Sequence, residues 1–291
     1  MELFETAKEA IKSAGLDYKV VKRDLFTKVS GKNLNVRNHF ATVRMPKDST
    51  EEPIDLGVVG NYYTIVQNEE AFDAVDYANN GNEILFQRAG QLDEGAQIYV
   101  EGVLGGDLGI ENTTLQKRLV LINSHDGTKN VVVKLFFYDK KNNTYLAFRL
   151  PKIDAEIKLR HSKSVKVKLD EGQKVLKLAH AAFNEVEKMF REMASRKCEK
   201  SEAEDFVLDL LSGKKDKDGL SARMTNMVDT IIRLLENRPN RTLFDVYLSI
   251  VDFVDNERGK KRDAELRIST NWFGTGLSIK ERAFEKIVKM F

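Results

Sequence analysis

Leu119-Val120-Leu121-Ile122-Asn123-Ser124-His125-Asp126-Gly127, followed after three residues by Val131-Val132-Val133-Lys134-Leu135-Phe136-Phe137-Tyr138, reads as two strands joined by a turn. The runs are β-branched and aromatic, and Asp-Gly supplies the positive-φ positions of a hairpin. Working outward, strands are expected at Glu83–Ala89, Ala96–Leu104, Leu115–Ile122, Val131–Tyr138 and Thr144–Phe148. Their joins, Leu92-Asp93-Glu94-Gly95, Gly105-Gly106-Asp107, the His125 turn and Lys140-Lys141-Asn142-Asn143, are too short for parallel crossovers. An antiparallel β-meander follows.

Helical patterns surround it. Residues 2–14 read as a short amphipathic helix, and Leu56–Val66 as a strand leading to a helix capped by Asn68 and running to Asn79. Asp170 and Gln173 resemble a capping box opening a long helix with Val175, Leu178, Ala182, Phe183, Val186 and Phe190 along one side. That stripe is expected to cover the sheet. Beyond residue 200 the texture is helical, with starts at Ser201, Ser221, Thr242 and Ser278, and Ser212–Gly219 reads as a linker. Trp272-Phe273-Gly274 is expected as a packing plug in the loop before the last helix. The fold class is therefore α+β: an antiparallel β-meander covered by a long helix, with a helical C-terminal subdomain. The expected divisions are 1–55, an N-terminal helix and extension; 56–200, the α+β core; and 201–291, the helical subdomain.

Composition excludes several classes. The 291 residues carry 47 basic and 45 acidic side chains, a net charge of +2, so bulk charge alone holds no nucleic acid. No apolar run approaches a membrane span, and the acidic start Met1-Glu2-Leu3-Phe4-Glu5 lacks the features of a secretory signal, which makes the cytoplasm the expected location. Cys198 is the single cysteine, which leaves no intrachain disulfide and no thiolate metal site. No Walker, HExxH or dinucleotide-loop spacing is present, and no cofactor is expected.

Two stretches carry chemistry. Ser124, His125 and Asp126 form a candidate polar site, but alternation along extended backbone turns His125 away from its neighbours, so the three cannot form a relay among themselves. Between Lys158 and Lys177 seven cations face two carboxylates, a local excess of +5 that exceeds the whole chain's. Lys158, Arg160, His161, Lys163, Lys166 and Lys168 are the candidate nucleic-acid-binding residues, with Tyr62, Tyr63, Phe136 and Tyr138 as stacking candidates. The plainer alternative is that Lys163, Lys166 and Lys168, alternating with Val165 and Val167, lie on an exposed edge strand guarded by lysine.

Several ordered motifs carry a resemblance: Leu56-Gly57-Val58-Val59 through Tyr62, Val66-Gln67-Asn68-Glu69, Ala89-Gly90-Gln91-Leu92 to Gly95, Ser124-His125-Asp126-Gly127, Arg160-His161-Ser162, Val251–Asp255 and Phe273-Gly274. Together they resemble the phage- and plasmid-associated domain of unknown function nine-three-two, over most of residues 56–291. Where that family has an arginine-valine-cysteine-asparagine run after the histidine hairpin, this chain has Phe137–Asn143. The resemblance implies a setting in mobile elements and brings no settled activity. In architecture the chain is also similar to ring-forming recombination proteins that anneal single strands.

The functional expectation is a non-catalytic single-stranded DNA-binding and strand-annealing protein of a phage or plasmid, self-associating into a homo-oligomer or ring. A metal-dependent hydrolase, with His125, Asp126 and His161 meeting across the sheet, is the first alternative. A scaffold protein without a site is the second.

Overall fold

A computed structural model describes residues 3–79, 81, 83–128, 131–150, 156–158, 165–214 and 219–291, with the side chains of 156–158, 165, 166 and 169 outside the description. The chain forms two compact units. The first comprises Met1–Gly105, Arg118–Lys134 and Glu156–Leu178, and the second Gly106–Lys117, Leu135–Ala155 and Ala179–Phe291.

The N-terminal region opens with α1 (Ala7–Ser13), whose capping box joins Thr6 and Glu9. The expected extension is in fact a sheet. Strands β1 (Val20–Val29), β2 (Lys32–Arg44) and β3 (Ile54–Gly60) pair antiparallel in that order. Ser30 and Gly31 turn β1 into β2 with φ of 50° and 79°, the positive pair of a two-residue hairpin. Strand β3 accompanies β2 only from Arg44 back to His39. Beyond that point, among the described residues, β1 and β2 continue as a two-stranded ribbon.

The second sheet follows the expected meander. Strands β4 (Ile84–Leu92), β5 (Gln97–Ile110), β6 (Thr113–Ser124), β7 (Val132–Asp139) and β8 (Thr144–Leu146) are consecutive neighbours, and β9 (Glu156–Lys158) pairs with β7. One join moves: Gly105-Gly106-Asp107 lies inside β5, and the turn falls at Glu111-Asn112, where Glu111 has a φ of 50°. Asn68 is not a helix cap. It sits in a short 3-10 turn, Asn68–Glu70, ahead of α2 (Asp73–Ala78), and its side chain points into the core.

The long helix α3 (Val165–Ser195) begins upstream of the Asp170 box, so the edge-strand reading of Lys163–Lys168 gives way to helix from Val165 onward. Tertiary contacts outweigh the strand preference of the valines. Lys168 Nζ binds Asp73 Oδ2 at 2.5 Å, and Gly172 lets α3 lie directly on α2: a Cβ there would stand 1.8 Å from the Ala74 carbonyl oxygen. On the sheet-facing side Val175, Ala179, Ala182, Phe183, Val186 and Phe190 are buried, as the stripe requires.

The helical region contains α4 (Lys200–Ser212), α5 (Ala222–Glu236), α6 (Leu243–Asp252), α7 (Ala264–Phe273) and α8 (Thr275–Val288). Ser221 and Thr242 cap α5 and α6 as expected. The α4 box is instead Glu199 with Glu202. Trp272 is a buried plug, though on α7 rather than in a loop, with its ring 5.0 Å from that of Tyr145. The core of this unit is aromatic: Phe137 packs edge-on to Phe183 at 5.0 Å, and Phe190 on Phe244 at 5.2 Å.

Candidate functional site

The histidine hairpin is a joint of the first unit. The backbone alternation that separates His125 from its neighbours holds, and each side chain has a different employment. Ser124 Oγ donates to Asp126 Oδ1, which also accepts from the Thr128 N–H at 2.8 Å and its hydroxyl at 2.6 Å. Gln97 Nε2 donates to Asp126 Oδ2 at 3.3 Å. Burial works to raise the Asp126 carboxyl, but these hydrogen bonds outweigh it and hold the group below the usual carboxylate range. Such a carboxylate pins a turn.

His125 faces inward and is 0% exposed. Its Nε2 lies 2.7 Å from Asn68 Oδ1. Asn68 Nδ2 is already donating to the Leu16 carbonyl at 2.8 Å, and Asn123 Nδ2 reaches Asn68 Oδ1 at 3.2 Å. The amide oxygen therefore accepts, and His125 Nε2 carries the proton. Burial lowers the imidazole to about 4, so the ring is neutral at pH 7. Among the described residues its Nδ1 has no partner.

The backbone completes the joint. The His125 N–H donates to Ala96 O at 2.7 Å, and its carbonyl accepts from the buried Thr42 hydroxyl at 2.8 Å. Tyr63 donates its hydroxyl to the Ser124 carbonyl at 2.8 Å. Gly57 passes so near that a Cβ would lie 2.8 Å from Asp126 Cα. The hairpin thus fastens the three-stranded sheet to β6 through its backbone carbonyls, while its Ser124, Asp126 and His125 side chains bond to the turn itself, to Gln97 and to Asn68. His161 lies outside the described residues, and among those described no three His, Cys, Asp or Glu side chains gather as metal ligands.

The basic stretch is only partly described. Arg160, His161 and Lys163 lie outside the described residues, as do the side chains of Lys158 and Lys166. Lys168 does not offer an open cation: it is bound to Asp73, with its ammonium 5.8 Å from the Tyr77 ring. Of the aromatic candidates, Phe136 is buried, Tyr138 stacks 4.7 Å from Tyr145, and Tyr63 is held by Ser124. Tyr62 alone stands open, at 97% exposure.

Other polar clusters are structural. A cleft of about 870 Å³ in the second unit includes Asp139, Arg238, Asp245 and Asp252 in its wall. Asp139 accepts from the turn amides of Lys141 and Asn142 at 2.9 and 3.3 Å, Asp245 closes the α6 cap, and Arg238 is held by Ser249 at 3.1 Å and Asp252 at 3.7 Å. Cys198 is buried, which pushes its thiol up to about 11 and leaves it a packing residue.

A second cationic feature, equal in net charge and lying within the described residues, is the β1–β2 ribbon, which sequence reading passed over. From Val20 to Arg44 the cations Lys22, Arg23, Lys28, Lys32, Arg37 and Arg44 face one carboxylate, Asp24, a net charge of +5. At its root Lys22 donates to the carbonyls of Gly60 and Asn61, and Arg44 stacks 4.2 Å over the Tyr18 ring. Farther out, Lys28, Lys32 and Arg37 are exposed, and among the described residues none of them has a carboxylate partner. Between the Asp24–Phe40 and Phe26–Asn35 pairs, Leu25 alone opposes Val36–His39, a bulge with Asn38 at a φ of 62°. Bulges of this kind bend a ribbon away from its sheet. The signal was Ser30-Gly31 between strand-forming runs.

No curated protein and no solved structure matches the chain. A family model, Domain of unknown function (DUF932), matches residues 55–272, which takes in β3, the histidine hairpin and the helices through most of α7, and leaves the β1–β2 ribbon outside. With three quarters of its length so matched, the chain belongs to the DUF932 family.

Proposed function

We propose that this protein binds single-stranded nucleic acid and anneals complementary strands without catalysing a covalent step. The observation that carries the reading is the β1–β2 ribbon, a bulged two-stranded arm on which Lys28, Lys32 and Arg37 are exposed and, among the described residues, have no carboxylate partner, on a chain whose overall charge is only +2. Clustered exposed cations attract a polyanion, and phosphate contacts supply the sequence-independent part of such binding. Lys158, Arg160, His161, Lys163 and Lys166 are proposed as further contributors on the Lys158–Lys177 stretch.

Annealing requires that two strands be held together, so the reading includes self-association into an oligomer or ring. The resemblance to phage and plasmid proteins supports work on a mobile element's DNA in the cytoplasm of a bacterial host. Among the described residues no helix is long and apolar enough to cross a membrane. Hydrolysis gains no support from the histidine hairpin, whose imidazole is sealed against Asn68.

The test is annealing of two complementary labelled oligonucleotides, followed by energy transfer. The wild-type protein is expected to speed pairing in the presence of a chelator, and Lys28→Gln/Lys32→Gln/Arg37→Gln to lose most of that effect. No acceleration by folded wild-type protein would overturn the annealing reading.

A further inference from the structure

The arm has two unlike faces. In the distal register Phe26 pairs with Asn35 and Lys28 with Asn33, so these four side chains share one face of the ribbon. Thr27, Leu34, Val29 and Lys32 occupy the other. Phe26 is 56% exposed, although a phenyl ring gains most of its stability by burial. It lies on the part of the ribbon that extends beyond the end of β3.

We propose that the Phe26 face of the arm is a base-stacking site for an unpaired strand, with the Phe26 ring against a nucleobase, Lys28 on the adjoining phosphate, and the Asn33 and Asn35 amides on base edges. This rests on the functional reading above and adds to it the part of the strand that is recognised. A site that met phosphate alone would need only the cations. An exposed ring between a lysine and two amides is matched instead to the flat face and polar edge of a base, and that face is free only when the base is unpaired. Tyr62 supplies a second open ring at the arm's root, two residues past Gly60, which pairs with His39.

The asymmetry also sets what should not happen. Duplex DNA buries its base faces in the stack, so the Phe26 ring adds nothing to duplex binding, while Lys28, Lys32 and Arg37 still attract its backbone. Preference for single strands therefore resides in the ring, and salt dependence in the cations.

The test uses the full chain and an oligonucleotide containing 2-aminopurine, whose fluorescence is quenched on stacking. Wild-type protein should quench the probe. Phe26→Ala should abolish most of the quenching and weaken single-strand binding roughly tenfold, the order of one base stack, with the salt slope and duplex affinity unchanged. Phe26→Trp should restore quenching and show loss of its own indole emission on binding. Circular dichroism of both variants checks that the arm, exposed as it is, leaves the fold intact. If wild-type protein binds the strand and Phe26→Ala binds and quenches equally well, the stacking site is overturned while strand binding stands. If wild-type protein binds no single strand at low salt, the functional reading itself fails and the stacking site falls with it.

Discussion

Lys280 Nζ lies 2.9 Å from Asp255 Oδ1, and the two side chains close on the main chain of one residue of β8: the Tyr145 N–H donates to Asp255 Oδ2 at 2.8 Å, and Lys280 donates to the Tyr145 carbonyl at 2.8 Å. The pair does for the β8 backbone what a neighbouring strand would do. Asp255 stands in a π-helical turn, Phe253–Glu257, that continues α6, and Lys280 on α8 is fully buried. Burial pushes the Asp255 carboxyl up, with Lys280 acting in the opposite direction. The arrangement binds strand, turn and helix in the second unit.

Removing one partner should therefore be costly. Lys280→Met leaves a buried carboxylate without its cation and is expected to lower stability by about 3–5 kcal/mol. The double variant Lys280→Met/Asp255→Leu should recover part of that loss, since it removes both charges. Urea denaturation of the three proteins measures both effects, and a single variant as stable as wild type would refute the coupling.

Two groups of the first unit, the buried His125 and the half-buried Asp76, give opposing pH dependences. His125 titrates at about 4 in the folded chain against 6.5 ordinarily, so between these values only the unfolded chain holds the proton, and stability falls as pH drops. Asp76 accepts from the N–H groups of Ala7 and Lys8 at 2.7 and 3.2 Å, yet burial raises it from 3.8 to about 6. Between those values only the folded chain holds the proton, and stability falls as pH rises. Each is worth roughly 3 kcal/mol across its window, and the two nearly cancel where they overlap. Asp76→Asn should expose a loss of stability on acidification, and His125→Asn a loss on raising the pH from about 4 to 6. Urea midpoints across that range check both signs. Parallel profiles for the two variants would contradict the assignment.

Gly172 sets the approach of α3 to α2. Gly172→Ala places its methyl carbon 1.8 Å from the Ala74 carbonyl oxygen and 2.6 Å from Ala78 Cβ, and backbone must move to admit it. Although alanine favours helix, the variant should lose about 1–3 kcal/mol, seen as a lower melting temperature. A rise in melting temperature would show that the two helices separate freely.

The meander was legible because its strands are apolar runs divided by turns too short for a crossover, and the α3 stripe because its spacing is helical from Val175 onward. The start of α3 was not, since Val165 and Val167 have strand character and the partner that holds Lys168, Asp73, is distant in sequence. Asn68 has the residue type of a cap, and only the tertiary structure shows its amide turned to His125 and Leu16. The arm was missed for another reason. Its residues from Asp24 outward are mostly exposed on both faces, so β1 and β2 lack the apolar alternation by which half-buried strands are found. Its charge was legible all along.

The most direct measurement is the anisotropy of a labelled single-stranded oligonucleotide titrated with wild-type protein and with Lys28→Gln/Lys32→Gln/Arg37→Gln over a range of salt. Engagement of three to four phosphates by the arm should give the wild type a log–log salt slope steeper by roughly 2 than that of the triple variant. Affinity of the variant should fall to match at low salt, while its melting temperature stays at the wild-type value. Equal affinity and equal slope for the two folded proteins would contradict the arm as the nucleic-acid interface.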